Sequence, residues 1–230
     1  MKTIIRAEIT KGEEIRYISH LDYAGAVERA IRRAGIPAAY SEGFNPHMKL
    51  AFASALAVGV TSSSEYMDVE LAESYSLSCF TQLLEQALPK GIRLKRAVYK
   101  DASDKKALMA LVERASYRIV LPSGYDKEAI KKAIASFEAE LDVVIWKETP
   151  KSRKEVEVKQ YMAAQIKFVE GEQDELLMDI LITPQGSVKP EQILRALYDS
   201  FGFPIEVETV QIERTGLFCR RNGKWTALIA

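Results

Sequence analysis

The eleven residues YSEGFNPHMKL, Tyr40 to Leu50, combine two aromatic rings, a serine, a glycine, an Asn-Pro pair and one of the chain's two histidines. These residue types grip RNA or move protons. An exposed Phe44 ring would stack on a base while Tyr40, Ser41, Asn45 and His47 offer further contacts. An imidazole with an ordinary pKa of about 6.5 also suits proton transfer at neutral pH. The backbone supports a second reading. Gly43 permits positive φ, and Pro46 fixes its own φ while pushing Asn45 toward extended values. The same stretch is then a shaped hairpin or bulged loop with Phe44 tucked into the core.

The remaining candidates flank the motif. His20 follows Ser19 and precedes Asp22, so it is either a helix-start residue beside an N-cap or a catalytic group. His20 and His47 are the two catalytic candidates, with no role assigned to either. Two histidines without a third ligand make a poor zinc site, and no metal is expected. Arg29, Arg32 and Arg33 follow at helical spacing, with Arg29 and Arg33 on one face. They are a solvated face partnered by Glu28, or a phosphate grip. Lys49, Lys11 and Arg16 would extend that patch. Further basic clusters are Lys151, Arg153, Lys154 and Lys159, and then Arg220, Arg221 and Lys224. SSSEY (62–66) reads as a serine-rich turn with no activating base beside it. There is no GxGxxG, Walker loop, GxSxG or HExxH.

These residues need elements to position them. TIIRAEIT (3–10) alternates as a strand, and IRYIS (15–19) reads as short and extended. HLDYAGAVERAIRRAGIP (20–37) has helical apolar spacing that stops at Gly35 and Pro37. Extended runs are predicted over 49–60 and 66–72, separated by a polar break at TSSSE (61–65). A second helix covers 76–91, and a strand closes the half at 92–100. After the polar stretch 101–107 the order recurs: a strand at 117–122, a helix at 125–140, a strand at 141–148, extended segments at 154–171 and 174–184, a helix at 189–202, and an extended run at 204–219. Asn222-Gly223 signals a type I′ turn in a closing hairpin. Both halves thus predict an α+β class, with two tandem ferredoxin-like (split βαβ) domains whose antiparallel sheets are covered by helices. The expected division is 1–104 and 105–230. Region 154–184 is the segment that could pair outside the second sheet.

Composition sets the broad class. A chain of 230 residues, 47% hydrophobic and 28% charged, matches the ordinary globular mix rather than a disordered one. Thirty-two basic residues balance 32 acidic ones, so any nucleic-acid contact must come from a local basic face. Cys79 and Cys219 match no metal or redox spacing and are expected to be reduced thiols. No signal-peptide core or membrane-length apolar run is present, so the expected location is cytoplasmic.

The stretch from Ile15 to Val60 carries a resemblance. Tyr17, Ser19, His20, Leu21 and Asp22 are followed by Arg29, Arg32, Arg33 and Ala34. Then come Tyr40, Ser41, Gly43, Phe44, Asn45, Pro46 and His47, and finally Phe52, Ala53, Ala55, Leu56 and Gly59. This pattern resembles the signature of the radical-SAM-linked bacterial proteins, in which the domain is fused to, or encoded beside, a larger radical SAM protein. The resemblance implies an accessory role on tRNA or rRNA, with a radical SAM protein as partner. A 4Fe–4S cluster needs closely spaced cysteine thiolates, which Cys79 and Cys219 do not provide. The chain is therefore expected to hold no cofactor and to supply grip or positioning. Two alternatives stand beside this reading. One is a histidine-dependent endoribonuclease resembling the tandem ferredoxin-like enzymes that process CRISPR repeats. The other is a protein-docking adaptor without RNA contact.

Overall fold

The computed structural model describes residues 3–101, 104, 106–149 and 152–229, with side chains at all of them except 147–149 and 152–153. In strand β1 (Thr3–Lys11), Ile5, Ala7 and Ile9 are fully buried on one face while Arg6 and Glu8 take the other, as the twofold side-chain period requires. Helix α1 (His20–Arg33) starts where Ser19 Oγ accepts the Asp22 N–H at 3.1 Å. It buries Tyr23, Val27, Ala30 and Ile31, a stripe spaced i, i+4, i+7, i+8. Each such aliphatic side chain contributes about 1.5–3 kcal/mol on burial, several times a typical propensity difference. Packing therefore holds α1 in place.

Strands β2 (Leu50–Phe52) and β3 (Val60–Leu71) follow. Helix α2 (Leu77–Ala87) is capped by Ser76, and β4 (Leu94–Tyr99) closes the half. β1 lies between β3 and β4, with Ile5 facing Val69 on one side and Tyr99 on the other, and β2 pairs with β3. All of these pairings are antiparallel. Ile5, Ala7 and Ile9 share one core with Val27, Ile31, Met67, Val69, Phe80 and Leu84.

Three local expectations change. Segment 15–19 is not extended; Glu13–Ile15 forms a short 3-10 turn. Only 50–52 of the run 49–60 pairs as β2. TSSSE is not a break but the beginning of β3, with Thr61, Ser62, Ser64 and Glu65 buried. Ser64 is accommodated there because it bonds Glu8 and Tyr66 on the sheet face away from the helices.

The second half contains β5 (Arg114–Val120), α3 (Lys127–Ala139), β6 (Val144–Thr149), β7 (Ser152–Glu157), β8 (Lys167–Val169), β9 (Glu175–Leu181), α4 (Pro190–Phe201), β10 (Gln211–Arg221) and β11 (Lys224–Ala227). Its strand order is β10-β5-β9-β8, while β6 and β7 form a separate two-stranded sheet. Region 154–184 is thereby divided, with β7 outside the sheet and β8–β9 within it. α3 buries Ile130, Ala133, Ile134 and Phe137, and Phe137 meets Phe201 of α4 edge-on at 5.5 Å. Gly202 ends α4 in the left-handed conformation at φ 70°.

The class is mixed α+β, rich in antiparallel pairing, with four α-helices among the described residues. The chain forms two compact units, Met1–Glu113 with Gly216–Ala230, and Arg114–Thr215. The boundary falls at 113/114, where the sequence suggested 104/105, and the closing hairpin joins the first unit. Two hydrogen bonds account for that: Glu113 N–H to Phe218 O at 2.9 Å and Arg6 Nη1 to Leu228 O at 3.4 Å. No helix among the described residues is long and apolar enough to cross a membrane.

Candidate functional site

The motif folds as a hairpin whose neck is bonded on both sides. Lys49 N–H donates to Ala39 O at 2.8 Å, and Tyr40 pairs with Met48. Ser41 N–H donates to His47 O at 2.8 Å, and His47 N–H returns to Ser41 Oγ at 2.9 Å. Ala38 and Met48 are buried and anchor the base, while residues 42–47 are exposed. Gly43 stands at φ 119°, a conformation that L side chains rarely adopt. Phe44 is not tucked into the core. Its ring is fully exposed, beside the exposed Asn45 and His47.

The end of α1 braces this hairpin. Arg32 Nε donates to Tyr40 Oη at 3.3 Å, its guanidinium lies 5.9 Å from the centre of the Tyr40 ring, and Nη2 pairs with Glu28. Arg33 Nη2 donates to Ala87 O at 2.7 Å, a cation set on the negative end of α2. Lys49 Nζ pairs with Glu70 at 3.1 Å. Arg29 is exposed, with its Nη1 lying over Gly25, and no carboxylate pairs with it among the described residues. The expected cationic patch is therefore uneven. Arg29 is uncommitted, Arg32 is shared with Tyr40 and Glu28, and Arg33 and Lys49 are engaged.

Lys11 does not extend the patch. It is buried, and its Nζ reaches the carbonyls of Arg16, Ile18, Ala57 and Val60 at 2.9–3.4 Å, tying the turn before α1 to the turn before β3. Arg16 reinforces that tie through Gly59 O at 2.9 and 3.2 Å. A lysine flanked by Thr10 and Gly12 carries no local signal of burial; the carbonyls of Arg16 and Ile18 nearby and of Ala57 and Val60 farther along the chain create it.

His20 packs edge-to-face on Phe52 at 5.3 Å, and Tyr23 packs on the same ring at 5.7 Å. His47 belongs instead to the hairpin neck. Tyr17 and Leu21, also part of the motif, are 74% and 81% exposed. In the second basic cluster, Lys159 pairs with Glu138 at 3.0 Å and lies over the Phe137 ring. Lys151 and the Arg153 side chain fall outside the described residues.

Sequence reasoning missed a polar network on the helix-free face of the first unit. Ser64 Oγ lies 2.9 Å from Glu8 Oε1 and 3.1 Å from Tyr66 Oη. Lys95 Nζ reaches Glu8 Oε1 at 3.0 Å, and Arg96 Nε reaches Oε2 at 2.6 Å. So a carboxylate does stand beside SSSEY. Burial opposes its charge, but Arg96, Lys95 and Ser64 hold its pKa below the ordinary carboxylate value, which makes it a weak base. Burial pushes the Tyr66 phenol up. The available signal was the charged residues alternating with apolar ones in β1. They imply a second face that needs partners, and not which partners.

Residues 5–190 match the family described as "Uncharacterized protein conserved in bacteria (DUF2344)". The chain belongs to this family. The matched range includes the whole hairpin, α1 and the Glu8 network. No curated protein matches the chain. Among solved structures it is similar to a chain of the crystal structure of a Cbf5-Nop10-Gar1 complex, with 10% identity and TM-score 0.45, covering 94% of this chain and 48% of that one. It is also similar to a chain of an H/ACA RNP bound to a substrate RNA containing 2′-deoxyuridine, with 10% identity and TM-score 0.41, covering 96% and 47%. This chain spans about half the length of either.

Proposed function

We propose that the chain is a non-enzymatic RNA-binding module that presents tRNA or rRNA to a separate radical SAM enzyme. The observation that carries the RNA reading is the Phe44 ring, fully exposed at the tip of a hairpin bonded at its neck and braced by α1. A bare aromatic ring on a fixed support loses little freedom when a base stacks on it, and Arg29 stands uncommitted nearby in sequence for a phosphate. The resemblance of the Ile15–Val60 motif supports the enzyme partner, with Tyr17 and Leu21 as exposed side chains on which a partner protein can rest. We also propose a tandem split βαβ architecture. Each unit follows the order strand, helix, strand pair, helix, strand, with its first strand between the last and the third, and β6–β7 is an insertion in the second.

Titration of full-length protein against total tRNA and rRNA fragments, with Phe44→Ala in parallel, tests the reading. Base–aromatic stacking is worth about 1–3 kcal/mol per base, so the variant should bind roughly 5- to 150-fold more weakly with an unchanged melting temperature. Equal affinity in the two proteins would remove Phe44 from the RNA contact. If the wild-type chain binds no RNA at low salt, the motif is a docking surface for protein.

A further inference from the structure

The closing hairpin of the first unit carries a charge pattern that the reading above does not use. β10 and β11 place Arg221 opposite Lys224 and Arg220 opposite Trp225, around a turn with φ 49° at Asn222 and 78° at Gly223. Side chains alternate faces along a strand, so Arg221 and Lys224 share one face while Arg220 and Trp225 share the other. Like charges placed directly opposite each other destabilise a strand pair. Among the described residues, neither Arg221 nor Lys224 has a carboxylate or hydrogen-bond partner for its side chain. Several other cations of the chain do carry a counter-charge, Lys127 from Asp174, Lys131 from Glu170 and Arg118 from Glu213, whereas Arg221 and Lys224, like Arg29, have none among the described residues.

Arg221 also borders a cavity of about 440 Å³, together with Arg6, Tyr99, Lys100, Asp101 and Asp104. Arg6 and Lys100 are about nine-tenths buried or more. Arg6 gives Nε and Nη2 to Asp68 at 2.7 and 3.0 Å, leaving Nη1 with longer contacts, 3.4 Å to Leu228 O and 3.5 Å to Asp104. Lys100 Nζ donates to Lys106 O at 3.0 Å and lies 3.7 Å from Asp68. Asp68 thus serves both buried cations, and Asp104 adds one long contact. Arg221 borders the cavity without an ion-pair partner of its own among the described residues, and Lys224 lies opposite it in the strand pair. On the opposite face, Arg220 lies 5.4 Å from the Trp225 ring centre, and its backbone N–H donates to Glu113 at 2.6 Å, which holds the strand in register.

We infer that this hairpin face is a second RNA contact, at which Arg221 and Lys224 take successive backbone phosphates over the Arg6–Lys100 cavity. Arg221 forks onto one phosphate, and Lys224 acts on its neighbour as a point charge. The inference rests on the RNA reading but uses none of the residues that carry it.

The test is an anisotropy titration of full-length protein with a labelled, mixed-sequence single-stranded RNA of about 20 nucleotides, repeated from about 50 to 300 mM KCl. Each phosphate contact to a single strand contributes about 0.7 to the slope of log K against log salt. Arg221→Ala/Lys224→Ala should lower the slope by about 1.4, and Arg221→Lys/Lys224→Arg should keep it. Phe44→Ala should weaken binding at every salt concentration and leave the slope alone. An unchanged slope in the double alanine variant, with Phe44→Ala still weakening binding, would overturn the hairpin contact and spare the RNA reading. Absence of wild-type binding would overturn both. Inorganic phosphate that competes RNA away far better than chloride at equal ionic strength would assign the site to free phosphate and overturn the proposal. Removing two opposed like charges should not lower the melting temperature, so a loss of slope reports contact rather than unfolding.

Discussion

Glu8 is buried yet charged because Arg96, Lys95 and Ser64 converge on its carboxylate. Its folded pKa lies below the ordinary 4.5. A depressed carboxylate contributes stability above its unfolded pKa and loses it as pH falls through the folded value. The contribution is therefore full at neutral pH, begins to fall near the ordinary value of 4.5 and is lost as pH drops through the lower folded value. Glu8→Gln should flatten that part of the acid limb in a series of urea midpoints against pH, and should cost about 1–3 kcal/mol at pH 7. Lys95 and Arg96 are nearly half exposed and can turn to water, which limits the loss. An acid limb as steep as wild type would show that Glu8 is not the titrating group. Lys11 follows the same logic with the opposite charge: four carbonyls compensate a buried ammonium and hold the turns on which α1 and β3 begin.

The hairpin between α1 and β2 depends on Gly43. Its φ of 119° falls where a residue with a Cβ is strained, although no atom stands within 4 Å of where that Cβ would be. The cost of Gly43→Ala is thus conformational rather than steric, about 1–3 kcal/mol. The exposed tip can relieve it by changing shape, because the buried anchors Ala38 and Met48 lie below it. The variant should keep its melting temperature within about 2 °C and bind RNA more weakly, since Phe44 is re-aimed. A lower melting temperature with full RNA affinity would contradict this account. Ser19, Gly35 and Ser76 mark the helix ends in sequence because their signals act within a turn or two of their own position. The length of β3 had no such signal, since its polar start is stabilised by Glu8 in another strand.

The first unit is built from both ends of the chain. Truncation after Thr215 removes β11, the Phe218 carbonyl that accepts from Glu113 and the Leu228 carbonyl that accepts from Arg6. Hydrogen exchange on the truncated chain should show protection falling in β1 and β4 by more than in α3 or β9. Equal loss throughout, or none in β1, would argue against that assignment. The whole chain carries no net charge. Under the proposed function, RNA affinity would come from a few local cations, and its salt dependence should stay shallow compared with a strongly basic protein.

Periodicity and capping residues were enough to place α1 to α4, β1 and the turn at Asn222-Gly223, because each of those signals is complete within one element. The motif was legible as a shaped, residue-rich connection for the same reason. The state of each site side chain was not. Arg33 is committed to a carbonyl 54 residues away, Lys49 to a carboxylate 21 away, and Ser64 to one 56 away. Such partners are chosen by strand order and helix packing, which bring distant segments within hydrogen-bond reach. Phe44 is exposed for the complementary reason: the folded unit closes its core on Ala38 and Met48 and leaves the tip of the hairpin in water.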